Sequence, residues 1–438
     1  MLTRILTACA FAFCCSTTFG ATYYIDYLTG SDSNSGINKQ RPWKVAPAMV
    51  GSAAAYVHQP GDRFIFKGGV TWPAACFTMT IWAGGSGISN RDYYGADPTW
   101  YTGSAWTRPV FDFQGQAVNA LYITVSYVQI DNIEMKNMLA TSSFGWCYVY
   151  FSPTATLNLV SNCWFHDWTN VNGPTQDVGF TCVLGDGPNN EVSQCEFDQS
   201  NVAEKSAVCC KNVAYVNFCH FHHTANAVLG YGIIHDNHFH DMSVTDPASH
   251  GNAIEVFGGA EIYNNLIHDN ASEIAPILTG DTAGASLSYI VYNNVLYNTG
   301  IQRAIANDNR ASHTVYWRVF NNTLGPGSNG ITCDGDTDFF YCENNHLIDS
   351  TITLGGPSPE PISLVVSDHN LLQTSAQAAA TGYTTSNLFQ PTGGNSPTVN
   401  QGISLSSFFT TDILGTTRSG IWDIGAYEYR GSSRAGRK

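Results

Sequence analysis

Residues 233–241 read IIHDNHFHD and residues 261–269 read EIYNNLIHD. Both follow one frame: an apolar residue, two variable places, Asn, one variable place, and a second apolar residue. The frame recurs as LVSNCWFHD (159–167), EVSQCEFDQ (191–199), YVNFCHFHH (215–223), IVYNNVLYN (290–298), RVFNNTLGP (318–326) and YCENNHLID (341–349), with Cys in the Asn place of the first three. IDNIEMKN (130–137) opens the series, and VVSDHNLLQ (365–373) closes it with His369 in the Asn place. The first apolar positions are 130, 160, 192, 216, 234, 262, 291, 319, 342 and 366, so the spacing runs from 18 to 32 residues. An uneven period in this range predicts a solenoid whose turns carry loops of variable length.

Reading down the columns, like sits on like. The fourth place holds Cys163, Cys195 and Cys219, then Asn237, Asn265, Asn294, Asn322 and Asn345. The sixth holds Phe165, Phe197, Phe221 and Phe239, then Ile267, Leu296, Leu324, Leu347 and Leu371. Parallel in-register coils about 4.8 Å apart bring equivalent side chains into contact. Buried amides stacked in this way bond to one another up and down the column. A vaguer column lies between the copies, at Val183, Val208, Val228, Ile254, Ile277, Ile305, Ile331 and Ile352. It predicts a further parallel strand in every coil. The expected fold is all-β, a right-handed parallel β-helix of about ten coils. The composition agrees: 12% charged residues, 41 Gly, 22 Tyr and 23 Phe suit a turn-rich β protein.

The flanking segments carry a resemblance. YYIDYLTGSDSNSG (23–36), RPWK (41–44) and PGDRFIFKGG (60–69) resemble the opening segment of secreted right-handed parallel β-helix proteins of the pectate-lyase-like superfamily, and DIGAYEY (423–429) resembles the closing segment of their bacterial members. The resemblance implies the fold and a carbohydrate-related role. It does not fix a reaction, because the fold hosts lyases, hydrolases, epimerases and surface proteins.

MLTRILTACAFAFCCSTTFG (1–20) has a basic start at Arg4, an apolar run and a small-residue cleavage pattern, and is read as a secretory signal peptide. Leu6-Thr7-Ala8-Cys9 has the form of a lipoprotein box, but too little apolar run precedes it. The expected layout is the signal peptide, an N-terminal cap with the first coil (21–120), the β-helix (121–375), a C-terminal coil and cap (376–429) and a disordered basic tail (430–438). The mature chain is expected to be extracytoplasmic and monomeric, with no membrane span. Its ten remaining cysteines contain no CxxC pair, which argues against a zinc ribbon. The Cys column is read as a thiol stack, with disulfides open at Cys182 with Cys209 or Cys210 and at Cys333 with Cys342. Between residues 137 and 417 there are five basic residues against 24 acids, so nucleic acid is not a partner; a polyanionic glycan would need a bridging cation.

The His-Asp pairs at 166–167, 240–241 and 268–269 recur at one place of the frame and are read as a hydrogen-bonded surface ladder. His220 above His238 and His222 above His240 are the alternative, a fortuitous transition-metal site. Chemistry is expected on the outer face of the second column, where Asp186, Lys211, Glu255, Asp281, Asp308, Asp334 and Asp336 fall. Carboxyls on adjacent coils would lie about 5 Å apart, as in a retaining glycosidase, and on alternate coils about 9–10 Å apart. Asp281 and Asp308 are the expected acids, with Glu255, His250, Arg303 and Arg310 beside them. A lyase is the second reading. Cys210-Lys211-Asn212 resembles the Lys-Ser step of β-helix alginate and chondroitin lyases, but Leu229-Gly230-Tyr231 stands where those families carry Arg-His-Gly. That reading would bring in calcium held by Asp; the hydrolase reading needs no cofactor. A non-catalytic glycan-binding surface is the third. Trp72, Trp82, Trp100, Trp106, Tyr93, Tyr94 and Tyr101 would stack on sugars, or else fill the N-terminal cap.

Overall fold

A computed structural model describes residues 20–140, 146–170, 180–202, 208–243, 251–270, 275–280, 286–300, 303–309, 314–335, 337–355 and 362–431. The expected signal peptide, most of the basic tail, His250, Asp281, Arg310 and Asp336 fall outside these residues. The described chain is a parallel β-helix. Strands of successive coils pair in parallel along three ladders, and the only α-helix among the described residues is the single turn Ser375–Ala380.

The first ladder carries the first apolar column. Ile130, Val160, Val192, Val216, Ile234, Ile262, Val291, Val319 and Cys342 pair in series. The second carries the sixth place, where Phe165, Phe197, Phe221 and Phe239 stack with centroids 4.7–4.9 Å apart and interplanar angles of 5–11°. The third runs Val183, Cys210, Val228, Ile254, Ile277, Ile305, Ile331, Ile352. All three inward columns meet in one core.

The bend between the first two ladders explains the frame. The residue just before the Asn/Cys place has positive φ in every copy: Asn132, Asn162, Gln194, Phe218, Asp236, Asn264, Asn293, Asn321, Asn344 and His369 all lie between 50° and 59°. Asn and Asp tolerate this left-handed region better than most side chains, which accounts for their density there. The following Asn turns inward. Asn237, Asn265, Asn294, Asn322 and Asn345 each donate Nδ2–H to the Oδ1 of the next Asn at 3.0–3.1 Å, and to a carbonyl of the preceding coil. Each Oδ1 from Asn265 onward also accepts the backbone N–H of the Asn before it. The cysteines above this ladder are buried thiols, and all ten described cysteines are free.

Two positions differ from the sequence reading. The Asn ladder ends at Asn370, not His369: the backbone N–H and Nδ2 of Asn345 both bond Asn370 Oδ1, and Leu347 pairs with Leu372 rather than Leu371. His369 instead occupies the left-handed place, so the last copy is one residue later than its apolar pattern suggests. In the third ladder Cys210, not Val208, faces the core between Val183 and Val228.

The C-terminal segment runs along the flank of the later coils. Its carbonyls are clasped by the left-handed asparagines: Asn293 Nδ2 donates to Thr411 O, Asn321 Nδ2 to Asp423 O and Asn344 Nδ2 to Ile403 O, each at 2.8 Å. The buried Arg418 donates to Asn293 Oδ1 at 2.8 Å and Gly425 O at 3.0 Å, and pairs with Glu428 at 3.4 Å. Beyond it the last coil leaves Leu364, Val365 and Leu372 40–53% exposed.

One buried group makes the fold sensitive to acid. His346 lies on the second ladder at 1% exposure, its Nε2 2.8 Å from Gln373 Oε1. Burial pushes its pKa down to about 4, against the smaller opposing effect of Gln373. The native state therefore keeps His346 neutral while an unfolded chain, titrating near 6.5, takes up a proton. Stability from this group is complete above about pH 6.5 and falls as the pH drops toward 4, by about 3 kcal/mol in all. Urea midpoints measured from pH 7 to pH 4 should show that loss, and H346L should flatten that part of the profile.

Candidate functional site

On the third ladder, alternation sends every second side chain outward. Between inward Ile254 and Val256 stands Glu255, and the register continues its outward column as Lys211, Leu229, Glu255, Leu278, Ala306 and Thr332. Lys211 and Glu255 therefore share a column two coils apart, about 9.6 Å along the helix axis. Lys211 is half-buried, whereas Glu255 is only 4% exposed, beside the small apolar cluster of Ala275, Leu278 and Ala306. Asp308 is half-buried, two residues beyond Ala306 and so in the next outward column. Arg303, also half-buried, precedes the same strand.

The place opposite Asp308 on the following coil is held by Asp334. On the preceding coil Thr279 pairs with Asn307, so the place beside Asp308 falls to Gly280. The structure thus groups Lys211 with Glu255, and Asp308 with the backbone position of Asp334. Further toward the N-terminus, Asp186 accepts a 2.7 Å hydrogen bond from Tyr150 on the same ladder.

Most of the aromatics weighed as sugar platforms are packed inside: Trp72 is fully buried, and Trp100, Tyr93 and Tyr94 are 5–8% exposed. Trp82, at 61%, and Tyr101, at 38%, are exposed, and Trp106 is half-buried, edge-on to Tyr101. The alternative role, filling the N-terminal coils, is the one that the buried rings perform.

The second ladder holds the densest chemistry, and sequence reasoning caught only part of it. Flanking the stacked phenylalanines, one outward column reads Glu134, Trp164, Glu196, His220, His238, Leu266 and the other Lys136, His166, Asp198, His222, His240, His268. Rings stack down each column, as His220 on His238 at 5.0 Å and His222 on His240 at 5.3 Å. The closest nitrogen contacts, however, run diagonally between columns. His220 Nε2 lies 2.6 Å from His240 Nε2, and His238 Nε2 lies 2.8 Å from His268 Nε2.

The recurrent aspartates set this up. Asp167, Asp241 and Asp269 occupy left-handed turn positions, and each carboxylate bonds the Nδ1 of the preceding His at 2.9, 2.6 and 2.7 Å. This is the ladder of hydrogen bonds the repeated His-Asp pairs predict. Upstream, His222 bonds Glu196 at 3.2 Å, and His166 bonds Glu134 at 3.2 Å. Burial, reinforced by the neighbouring imidazoles, holds His238 down to about 4, and burial also lowers His220. The His222 hydrogen bond holds the Glu196 carboxyl below its usual range.

No protein-family model and no curated protein matches the chain. Solved structures with a similar fold include a mannuronic-acid-specific polysaccharide family 6 lyase from human gut microbiota, at 16% identity and TM-score 0.50 over 72% of this chain and 78% of that one. Others are pectate lyase Pel9A, at 18% identity and TM-score 0.48 over 94% and 97%, and a GH136 lacto-N-biosidase from Eubacterium ramulus, at 12% identity and TM-score 0.46 over 81% and 68%. At these identities the likeness speaks for the parallel β-helix alone.

Proposed function

We propose that the protein is exported and acts on an extracellular polysaccharide, which it binds along the outer face of the third ladder and cleaves by glycoside hydrolysis. Among the described residues no helix is long and apolar enough to cross a membrane. The observation that carries the reading is the register of Asp308 against Asp334. Neighbouring places on a parallel ladder are about 4.8 Å apart, close to the about 5–5.5 Å between the carboxyls of a retaining glycosidase. One carboxyl would protonate the leaving oxygen and the other attack the anomeric carbon. Arg303, Glu255 and, outside the described residues, Asp281, His250 and Arg310 are proposed as neighbours that bind hydroxyls or tune those acids.

Lys211 supports β-elimination as the second reading, since a lyase needs a base near a neutralised uronate. Its column neighbour Leu229 offers no acid partner, and that ranks elimination below hydrolysis. The experiment is a screen of neutral and uronate glycans with and without chelator. New reducing ends without the ultraviolet absorbance of an unsaturated product, insensitive to chelator, are expected. Absorbance that depends on calcium would replace hydrolysis by elimination, and silence across the panel would leave a glycan-binding surface.

A further inference from the structure

The imidazole face of the second ladder is independent of the acids on the third. We propose that His220, His238 and His240 form a binding site for one divalent transition-metal ion of the zinc class, which ties two successive coils together.

Four observations meet here. The ligating atoms of His220, His238 and His240 lie within 4.8 Å of one another. His268 lies outside that group and flanks it, its Nε2 2.8 Å from His238 Nε2. His240 is held in the tautomer that a metal needs: Asp241 accepts its Nδ1–H, so its lone pair sits on Nε2, aimed at His220 in the other column. A carboxylate behind a ligating imidazole is the usual outer-shell support of a zinc site. Lastly, the in-register coils make the four rings a rigid array, stacked on one another and on Tyr297, so little ordering is left for binding to impose.

The donor set selects the ion. All three donors are imidazole nitrogens, which suit zinc, cobalt, nickel and copper; calcium and magnesium take oxygen ligands. Bonds of about 2.0–2.1 Å in a tetrahedron place ligand nitrogens about 3.4 Å apart. The His220–His240 pair at 2.6 Å would thus open slightly around an ion, with solvent in the fourth place. In the metal-free protein each close pair shares one proton, Nε2–H of one ring facing the lone pair of the other. Where the ion binds, the Nε2 protons of His220 and His238 move through solvent to their vacant Nδ1 atoms, so every ligand is a neutral imidazole and no net proton is released. An ion that joins two coils and is held only by the folded chain stabilises it.

The test uses the full mature chain, stripped with chelator and titrated with Co²⁺ and Zn²⁺ in equilibrium dialysis. One ion per chain, the visible absorption of tetrahedral cobalt and a higher melting temperature are expected. H240Q/H268Q should lose binding, with a metal-free circular dichroism spectrum like that of the parent. D241N keeps every imidazole and should weaken binding about 10–100-fold. H235Q, whose ring pairs with Asp236 away from the cluster, should leave binding unchanged. Absence of stoichiometric binding, an affinity unaltered in both H240Q/H268Q and D241N, or loss confined to H222Q/H223Q beside Asp198 would overturn the proposal.

Discussion

Asn294→Ala lowers the unfolding free energy by about 3–5 kcal/mol. The effect follows from counting what the side chain satisfies. Its Oδ1 accepts the backbone N–H and the Nδ2–H of Asn265, both at 3.0 Å, and its Nδ2 donates to Ile262 O at 2.9 Å and Asn322 Oδ1 at 3.0 Å. Asn294 and both neighbouring asparagines are fully buried, so water cannot replace these partners. Each orphaned buried group costs about 1–3 kcal/mol, and alanine also leaves a void beside the core. N265A/N294A should cost less than the two single variants together, because the second substitution removes groups that the first had already orphaned. Urea unfolding followed by fluorescence measures both. A cost below about 1 kcal/mol for N294A would mean that the amide ladder does not hold the coils in register.

Asp308→Asn lowers kcat by about 10²–10⁴-fold on any glycan that the parent hydrolyses, with KM changed far less. The amide keeps the size and most hydrogen bonds of the carboxylate but can neither attack nor exchange a proton. Asp308 faces outward from the ladder, so the variant should melt close to the parent. D334N is expected to lose activity to a similar extent, and the double variant no more than either alone, since the two act as one unit. Initial rates of reducing-end release read all three. Unchanged kcat in D308N would move the chemistry elsewhere, with Lys211 and Glu255 the next residues to replace.

How much the sequence disclosed follows from which contacts are periodic. The Asn, Cys and Phe columns were readable because in-register stacking repeats the same environment, and the same residue satisfies it each time. The slip at His369 arose because Asp368-His369-Asn370 offers three polar residues where the frame expects one, and only the left-handed backbone tells them apart. Val208 and Cys210 are both small and apolar, so alternation alone could not choose between them. The diagonal imidazole contacts stayed hidden for another reason. Register predicts which rings stack, while the aspartate behind each ring decides where its free nitrogen points. The acids were least legible, because they sit on or near connections whose length changes from coil to coil. Register sets Asp334 opposite Asp308, while Asp281, the partner the sequence suggests, lies outside the described residues.

The most direct test of the proposed activity is a crystal structure of D308N with the longest oligosaccharide that the parent cleaves. The account predicts a sugar chain lying along the outer face of the third ladder, with a glycosidic oxygen about 2.6–3.2 Å from the residue 308 side chain or one water away. A sugar bound instead against Trp82 or across the imidazole face, with residue 308 bare, would contradict it.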